Sequence, residues 1–427
     1  MAGEALAPSA AKSWLYHPVF PGHWERRPLY TLARWVNGLA FRDIQFSPTG
    51  KPVIKIAEIK SGISGQTKLT TQVFDESVHV RAGDLLFSWS GQPETSIDAF
   101  WWRGPDGWLN QHSFRVTPAE GIDPTFFFYL LRYLKPSFIG IARNKQTTGL
   151  GHVTKRDLES IEAAYPGLPE QHAIAHILGT LDDKIELNRR MNETLEAMAR
   201  TLFKSWFVDF DPVRAKAEGR DPGLPKEIVD LFPDRFEGSE LGEIPAGWKI
   251  GPLDSVLVLQ RGFDLPATQR TEGDYPVLAA SGPAGTHNEF MVRGPGVTTG
   301  RSGVLGKVFY VHEDFWPLNT SLWVKEFRHS KPAFAFHLLQ GLDFGMFNAG
   351  SAVPTLNRNH VHNLPTLQPP PPIIDAFESA ATAYLRRQKQ SEDQSRTLAA
   401  LRDTLLPKLI SGELRVKDAE QIAETVA

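Results

Sequence analysis

The chain has no cysteine among its 427 residues, which excludes a disulfide framework and any metal site built from thiolates. Long apolar runs are absent as well, because no stretch approaches the ~20 residues that a membrane-spanning helix needs. The first eleven residues lack a basic stretch followed by an apolar core, so we expect no secretory signal. These absences together indicate a protein of the reducing cytoplasm.

An excess of charge of either sign is also missing. With 46 Lys and Arg against 49 Asp and Glu, the net charge of −3 gives no bulk argument for nucleic-acid binding. Residues 17–165 contain 17 basic and 14 acidic side chains, and residues 251–365 contain 9 of each with six of the 13 histidines. Any contact with nucleic acid therefore has to be a local patch. The length is sufficient for two or three domains.

The chain repeats itself. Residues 21–24 (PGHW) correspond to 245–248 (PAGW), and residues 52–54 (PVI) correspond to 276–278 (PVL), both at an offset of 224. A Gly/Thr-rich turn follows in each copy, and then a helical segment that starts near Pro169 and Pro372, at an offset of 203. The order is therefore head, long helix, head, long helix, with a shorter second head.

The two heads are predicted to be mixed and β-rich. Residues 52–59 alternate apolar and polar side chains as a half-buried strand does, and further strands are expected at 83–90 and 304–311. Short helices are expected at 124–132 and 331–339. We interpret the aromatic side chains of these helices as core rather than as a stacking surface for bases.

The two long segments have a coiled-coil pattern. Apolar residues recur at spacings of three and four from 170 to 207, interrupted near Asn188, and again from 374 to 410 around a polar centre. Pro169 and Pro372 suit helix starts, and Gly412 suits a helix end. The apolar positions of the first helix are Ile174, Leu178, Leu181, Ile185, Met191, Leu195, Met198 and Leu202. The expected seam residues are Ile174, Leu181, Ile185, Asn188, Leu195 and Leu202 in the first helix, and Phe377, Tyr384, Leu398 and Leu405 in the second.

Neither helix can bury its apolar stripe alone, so the expected partner of each is the other helix. If a pseudo-twofold axis relates the two copies, the helices run antiparallel; the alternative is that each helix packs only on its own head. The predicted fold class is α+β, with two β-rich domains separated by two long antiparallel helices that form a coiled coil. The expected boundaries are 1–168 (head), 169–210 (helix), 211–245 (linker), 246–370 (head), 371–412 (helix) and 413–427 (tail).

Five segments together resemble a known family. They are residues 168–175 (LPEQHAIA), 181–188 (LDDKIELN), 206–215 (WFVDFDPVRA), 239–245 (SELGEIP) and 405–414 (LLPKLISGEL). The first four are similar to the central shared region of type I restriction-modification specificity subunits, and the last is similar to their distal shared region. The resemblance covers the whole order of head, helix, head and helix, although the heads match only in outline.

The resemblance implies that each head is a target recognition domain reading one half of a split, asymmetric site in double-stranded DNA. It implies that the helices act as spacer and as docking surface for two modification subunits, which use S-adenosylmethionine to methylate adenine. Restriction subunits with a nuclease and an ATP-driven motor, requiring ATP and Mg²⁺, would join the assembly. The chain itself is then expected to be non-catalytic and cytoplasmic, without cofactor or metal.

The sequence contains only weak motifs for catalysis or metal binding. Residues 300–308 resemble a P-loop but have one residue too many, and Val308 stands where a Mg²⁺-binding hydroxyl belongs, so the alternative is a glycine-rich turn before a strand. Asp43, Glu58 and Lys60 could form a nuclease site, although such triplets are common by chance. His360 and His362 could bind a metal, but no third ligand is evident.

Donor-rich loops are the candidates for reading DNA, because Asn and Gln suit adenine and Arg suits guanine in the major groove. The alternative is that these are solvated loops that close each domain, and a scaffold with two protein-binding heads also remains open. The candidates are Ser90, Gln92, Arg143, Lys145, Gln146, Thr147, Thr148, His152, Lys155 and Arg156 in the first head, and Arg301, Ser302, Asn348, Ser351, Thr355, Asn357 and Arg358 in the second.

Overall fold

The computed structural model describes residues 18–146, 149–344 and 355–426. Internal contacts divide the chain into two units, the first comprising Met1–Asn188 with Asp393–Ala427 and the second comprising Arg189–Glu392. The division falls within both long helices. Each unit therefore contains one β-rich head and one half of each long helix.

The helices are numbered along the chain. They are α1 (Ile56–Ser61), α2 (Pro93–Ser96), α3 (Pro124–Tyr133), α4 (Lys135–Asn144), α5 (Lys155–Ser160), α6 (Leu168–Phe207), α7 (Asp211–Ala217), α8 (Lys226–Val229), α9 (Leu253–Val256), α10 (Pro332–Gln340), α11 (Arg358–His362), α12 (Pro371–Ser411) and α13 (Val416–Val426). The two long helices α6 and α12 begin close to Pro169 and Pro372, as their sequences predict.

The strands are short, and each belongs to one of the two units. They are β1 (Glu25–Pro28), β2 (Ala33–Asn37), β3 (Lys51–Ile54), β4 (Leu69–Thr70), β5 (His79–Val80), β6 (Leu85–Ser88), β7 (Ser90–Gly91), β8 (Asp98–Trp101), β9 (Gly107–Leu109), β10 (Ser113–Pro118), β11 (Gly151–His152) and β12 (Glu162–Tyr165) in the first unit, and β13 (Phe236–Ser239), β14 (Gly242–Pro245), β15 (Lys249–Pro252), β16 (Leu257–Arg261), β17 (Tyr275–Ala279), β18 (Gly282–His287), β19 (Gly296–Gly300), β20 (Val308–Val311), β21 (Trp316–Pro317), β22 (Ser321–Phe327) and β23 (Pro365–Gln368) in the second.

The second unit repeats the sheet topology of the first. The order β2-β10-β6-β8 in one unit corresponds to β16-β22-β19-β20 in the other, and the pair β1-β12 corresponds to β15-β23. A parallel pair also recurs, with Val53 opposite Trp108 in β3 and β9 and Val277 opposite Trp316 in β17 and β21. The duplication predicted from the sequence is therefore confirmed in the topology, and residues 53 and 277 keep the offset of 224.

The short aromatic helices belong to the core. In α3, Phe126 and Phe127 are fully buried, and they share one apolar cluster with Ile174 of α6 and Leu405 of α12. In the second unit, Phe334 of α10 lies in the corresponding cluster with residues of α6 and α12. Because burying an aromatic side chain removes about 150–250 Å² from water, these helices contribute to the attachment of each head to its helix segments.

Within each unit the segments of α6 and α12 run antiparallel. In the first unit Asp182 accepts a hydrogen bond from Arg402, and Asn188 Nδ2 donates to Ser395 Oγ at 3.2 Å. In the second unit Asn192 Nδ2 donates to the carbonyl of Gln388 at 3.3 Å, whereas residue 206 contacts residue 377. In both units the partner number falls as the α6 number rises.

One apolar position of the sequence pattern, Met198, lies off the seam. Met198 is 46 % exposed, and the neighbouring Ala199 is buried in its place. From Asn188 the contacts continue through 192, 195, 199, 202 and 206, which is a regular spacing of four and three. The sequence pattern broke only because two of these positions hold Asn and Ala. Of the expected seam residues, Ile174, Leu181, Asn188, Phe377, Leu398 and Leu405 are buried, and Ile185, Leu195, Leu202 and Tyr384 are half-buried.

The strand expected over residues 52–59 ends at Ile54, because the next residues form α1. The buried carboxylate of Glu58 accepts hydrogen bonds from the Lys55 amide at 3.1 Å and from Thr67 Oγ1 at 3.1 Å. This capping of the first turn favours helix over strand. Among residues 18–146, 149–344 and 355–426, no helix has the length and apolarity required to cross a membrane.

Candidate nucleic-acid interface

In the first unit, two of the candidate loops lie side by side. Strands β7 and β11 pair antiparallel, with Ser90 opposite His152. Immediately before this pair, the amide of Trp89 donates to the carbonyl of His112 at 3.3 Å, and the carbonyl of Trp89 accepts from the amide of Val153 at 2.8 Å. Residues far apart in the sequence therefore form one continuous surface at the end of the sheet.

The second unit builds the same arrangement from different side chains. The amide of Arg301 donates to the carbonyl of Thr320 at 2.8 Å, and its carbonyl accepts from the amide of Leu356 at 2.8 Å. Ser302 forms an antiparallel bridge with Thr355. These hydrogen bonds place Arg301 at the position that Trp89 occupies in the first unit.

A glycine follows directly after β2 and after β16. These two glycines show that the last residues of the two strands are equivalent in the two units. A Cβ atom on Gly38 would lie 2.2 Å from the carbonyl oxygen of Asn110, and one on Gly262 would lie 2.3 Å from that of Leu318. Only glycine allows this close approach of two backbones. The residue before each glycine, Asn37 or Arg261, therefore stands at the same edge of its sheet.

The resulting surfaces contain residues that sequence reasoning missed. They are Asn37, Gln111 and His112 in the first unit and Arg261, Asp264 and Asn319 in the second. Asn37 and Arg261 differ in number by 224, the offset of the repeat, as do Gly38 and Gly262. In each copy a polar residue precedes the equivalent glycine, and that residue differs between the copies. This signal in the sequence could have identified Asn37 and Arg261.

Trp89 is the centre of the surface in the first unit. Its indole Nε1 donates to Asn37 Oδ1 at 2.9 Å, and its ring centroid lies 5.7 Å from that of His112 and 6.4 Å from that of His152. Asn37 and His112 are exposed, and Trp89 is half-buried. Such an arrangement offers flat apolar faces together with hydrogen-bonding groups, which is a combination that base edges can contact.

The corresponding surface of the second unit carries guanidinium groups. Arg261 donates through one nitrogen to both oxygens of Asp264, at 3.1 and 3.2 Å. Asp264 also accepts a hydrogen bond from Asn319, whose own backbone carbonyl accepts from Arg301 at 3.4 Å. The two arginines are thus held in one connected network.

Three basic candidates of the first unit, Arg143, Lys145 and Lys155, have carboxylate or aromatic partners. Arg143 Nε donates to Glu94 Oε1 at 2.5 Å, and Lys145 Nζ donates to Asp157 Oδ1 at 2.5 Å. Burial alone would raise the pKa of Asp157, but the hydrogen bonds from Lys145 and Thr154 lower that pKa below its ordinary value. The adjacent carboxylates reduce the attraction of both cations for a phosphate, while each cation keeps N–H donors that its carboxylate does not occupy.

The remaining candidates have local roles that leave polar groups at the surface. Lys155 lies 4.8 Å from the centroid of the Tyr30 ring, and Arg156 is exposed. Gln146 donates to the carbonyl of Gly149 at 2.7 Å, and exposed Gln92 accepts from Thr95 at 3.4 Å.

In the second unit, Asn357 caps α11 by accepting from the amide of Asn359 at 3.0 Å, and Arg358 follows it in an exposed position. Thr147, Thr148, Asn348 and Ser351 lie outside the described residues.

Glu58, His362 and the glycine-rich segment before β20 have structural roles in the protein. Both carboxylate oxygens of Glu58 are occupied by the cap of α1 and by Thr67, as described above. The nitrogen Nε2 of His362 accepts from the amide of Leu259 at 2.9 Å, and burial lowers the pKa of this imidazole. Residues 301–307 form a turn that leads into β20. The described part of the chain holds no group of three or more His, Cys, Asp or Glu arranged to bind a metal ion.

Comparison with known proteins agrees with this architecture. Residues 21–197 match the family described as the type I restriction modification DNA specificity domain. The MjaIX specificity subunit of Methanocaldococcus jannaschii is 24% identical over 344 residues, which cover 72% of this chain and 73% of the relative. The HindI specificity subunit of Haemophilus influenzae is 26% identical over 413 residues, covering 78% and 87%.

The fold is shared with a solved structure. The S subunit of a type I restriction-modification system from M. genitalium superposes with a TM-score of 0.55 and 16% identity, covering 91% of this chain and 96% of the other. The sheet-rich heads and long helices are those of this fold, and residues 21–197 match a DNA specificity domain. Over most of its length the chain is similar to type I restriction enzyme specificity subunits.

Proposed function

We propose that this chain reads a split, asymmetric target in double-stranded DNA, with one head on each half-site, as the non-catalytic specificity subunit of a type I restriction-modification complex. One observation carries the proposal. The two units present the same backbone frame, around Trp89 and around Arg301, with different polar side chains on it. Two heads that read different half-sites need the same backbone arrangement with different hydrogen-bonding side chains on it.

In this proposal the long helices set the separation between the half-sites and dock the partner subunits. Exposed apolar side chains on α6 support docking, because Leu187 is 57 % exposed and Met198 is 46 % exposed. In the second unit Met198 also lines a groove of about 460 Å³ together with Trp206 and Tyr384. The partners are two modification subunits that bring S-adenosylmethionine, and restriction subunits that bring ATP and Mg²⁺.

The spacer is tested by selection from a pool of DNA duplexes with a long randomised region. The full chain is expected to enrich a target of two defined blocks separated by undefined base pairs. Inserting seven residues after Asn188 in α6 and seven after Glu392 in α12 lengthens each helix by about 10 Å. This corresponds to about three base pairs at 3.4 Å each, so the spacing should grow by that amount while both blocks stay the same.

The other candidate function, a scaffold with protein-binding heads, predicts a different response to salt. DNA binding that neutralises phosphates weakens steeply as salt increases, by about 10³-fold or more between 50 and 200 mM for six or more phosphate contacts. We expect such a slope for the full chain on the enriched duplex. A failure to enrich any sequence, together with binding that salt leaves unchanged, would refute the DNA-reading function.

A further inference from the structure

The two equivalent surfaces differ in charge, and this difference indicates which base the second head recognises. We propose that the second unit reads a G·C base pair through Arg301 and the Arg261–Asp264 ion pair, with Asn319 connecting the two. The first unit reads its half-site without a cation at the equivalent positions. The inference rests on the proposed DNA-reading function and adds the identity of one base pair.

The network that holds the arginines is built across three elements. Arg261 ends β16, and its guanidinium lies 3.1 and 3.2 Å from the two oxygens of Asp264. Asn319 connects Asp264 to Arg301, because its side chain donates to Asp264 and its carbonyl accepts from Arg301. An arginine that is already oriented loses less side-chain entropy when it binds, which favours affinity.

The N–H donors of Arg301 that have no partner within the network can donate to the acceptors of guanine. Arginine presents five N–H donors in a planar fork, and the contact with Asn319 uses one donor of Arg301. In the major groove, guanine presents its O6 and N7 acceptors side by side, and arginine can contact both at once. Lysine could not replace this contact, because its ammonium is a single point charge.

The carboxylate of Asp264 favours a contact with bases over a contact with phosphate. A negative charge beside Arg261 reduces the local attraction for phosphate, so it would weaken a surface designed only to neutralise the backbone. The same carboxylate is an acceptor, and acidic side chains accept from the N4 amino group of cytosine. Arg301 on the O6 and N7 acceptors of guanine and Asp264, held by Arg261, on the cytosine amino group therefore match the two bases of one G·C pair.

The first unit provides the comparison within the same chain. Asn37 stands where the second unit has Arg261, Trp89 where it has Arg301, and Gln111 where it has Asn319. Asn37 Oδ1 is occupied by the indole of Trp89. Since these three residues include no guanidinium, the preference for guanine is assigned to the second unit alone.

The test uses the purified full chain and the duplex that it enriches from the randomised pool. Replacing the assigned G·C pair by A·T is expected to weaken binding by about 5- to 150-fold, the range for one good bidentate contact. Arg301→Lys keeps the charge but loses the fork, so it should reduce this preference to less than about threefold. Preferences in the other block should stay unchanged. Arg261→Lys is the second variant, expected to relax the same pair.

A matched control lies in the same unit. Arg328 is paired with Glu326 at 3.0 Å outside the network, so Arg328→Lys should leave every base preference as in the wild type. If Arg301→Lys and Arg261→Lys bind the enriched duplex with the wild-type preference at every position, the assignment of guanine is overturned while the DNA-reading function stands. If the wild type enriches no sequence, both proposals fall.

Discussion

Acidification should destabilise the second unit through His337. This residue of α10 is 3 % exposed, and its ring lies 5.8 Å from Phe203, 4.9 Å from Phe336 and 5.7 Å from Phe377. Burial among these rings lowers the pKa of His337 from 6.5 to about 4, although the side chain of Gln340 opposes the shift. The folded state therefore keeps a neutral imidazole under conditions in which the unfolded chain binds a proton.

The sign and the size of the effect follow from this difference. Above pH 6.5 both states are neutral, and the free energy of unfolding does not depend on this group. As the pH falls from 6.5 towards about 4, only the unfolded chain takes up the proton, so stability decreases. At ~1.4 kcal/mol for each pH unit between the two pKa values, the loss approaches about 3 kcal/mol, and it is about 2.5 kcal/mol at pH ~4.5.

Urea unfolding of the full chain at pH 7 and at pH 4.5 measures this loss. His337→Leu removes the titrating group, so the variant should lose about 2.5 kcal/mol less than the wild type over the interval. Tyr129→Phe is the matched control, because Tyr129 occupies in α3 the position that His337 occupies in α10. Each lies five residues after the proline that begins its helix. Burial raises the pKa of Tyr129, so it stays neutral throughout. Equal losses in the wild type and in His337→Leu would show that another group causes the acid sensitivity.

Two further substitutions test the frame of the surface and the attachment of a head to its helix. Gly262→Ala should lower the free energy of unfolding by about 1–3 kcal/mol and shift Arg261, because the new Cβ would lie 2.3 Å from the carbonyl oxygen of Leu318; Gly238→Ala, which meets nothing within 4 Å, is the control for thermal unfolding. Glu186→Lys should cost about 1 kcal/mol, because Glu186 pairs with Arg103 at 2.5 Å, and adding Arg103→Glu should recover that loss. No recovery in the double variant would mean that the pair does not act as a unit.

The long helices could be predicted because their signal is local. Spacings of three and four define an apolar stripe without knowledge of the partner. The apolar pattern leaves the seam at Met198, because Asn192 and Ala199, which the structure places on the seam, are not large apolar residues. The strand expected beyond Ile54 failed for a related reason. Alternation over a few residues cannot compete with a buried carboxylate that caps a helical turn, and the position of Thr67, which fixes that carboxylate, is not visible locally.

The surface at the sheet ends could be predicted only in part. The donor-rich loops are visible as composition, but their pairing depends on the strand order β2-β10-β6, which brings together segments that are distant in the chain. Arg261 and Asp264 were missed because a single arginine at the end of a strand has no local mark. Their relation to Arg301 exists only through Asn319 and the register of the sheet.

The repeat preserves the positions of contacts more strictly than their chemistry. Two residues after β8, Arg103 pairs with Glu186 of α6, and two residues after β20, Glu313 pairs with Lys389 of α12, so the charges are reversed at the same places. The sheet ends show the same behaviour, because glycine fixes the backbone while the exposed side chain beside it changes from amide to guanidinium. Substitutions at exposed positions usually alter stability by less than about 0.5 kcal/mol. A head built in this way can therefore change the base that it contacts without repacking the core that attaches it to the helices.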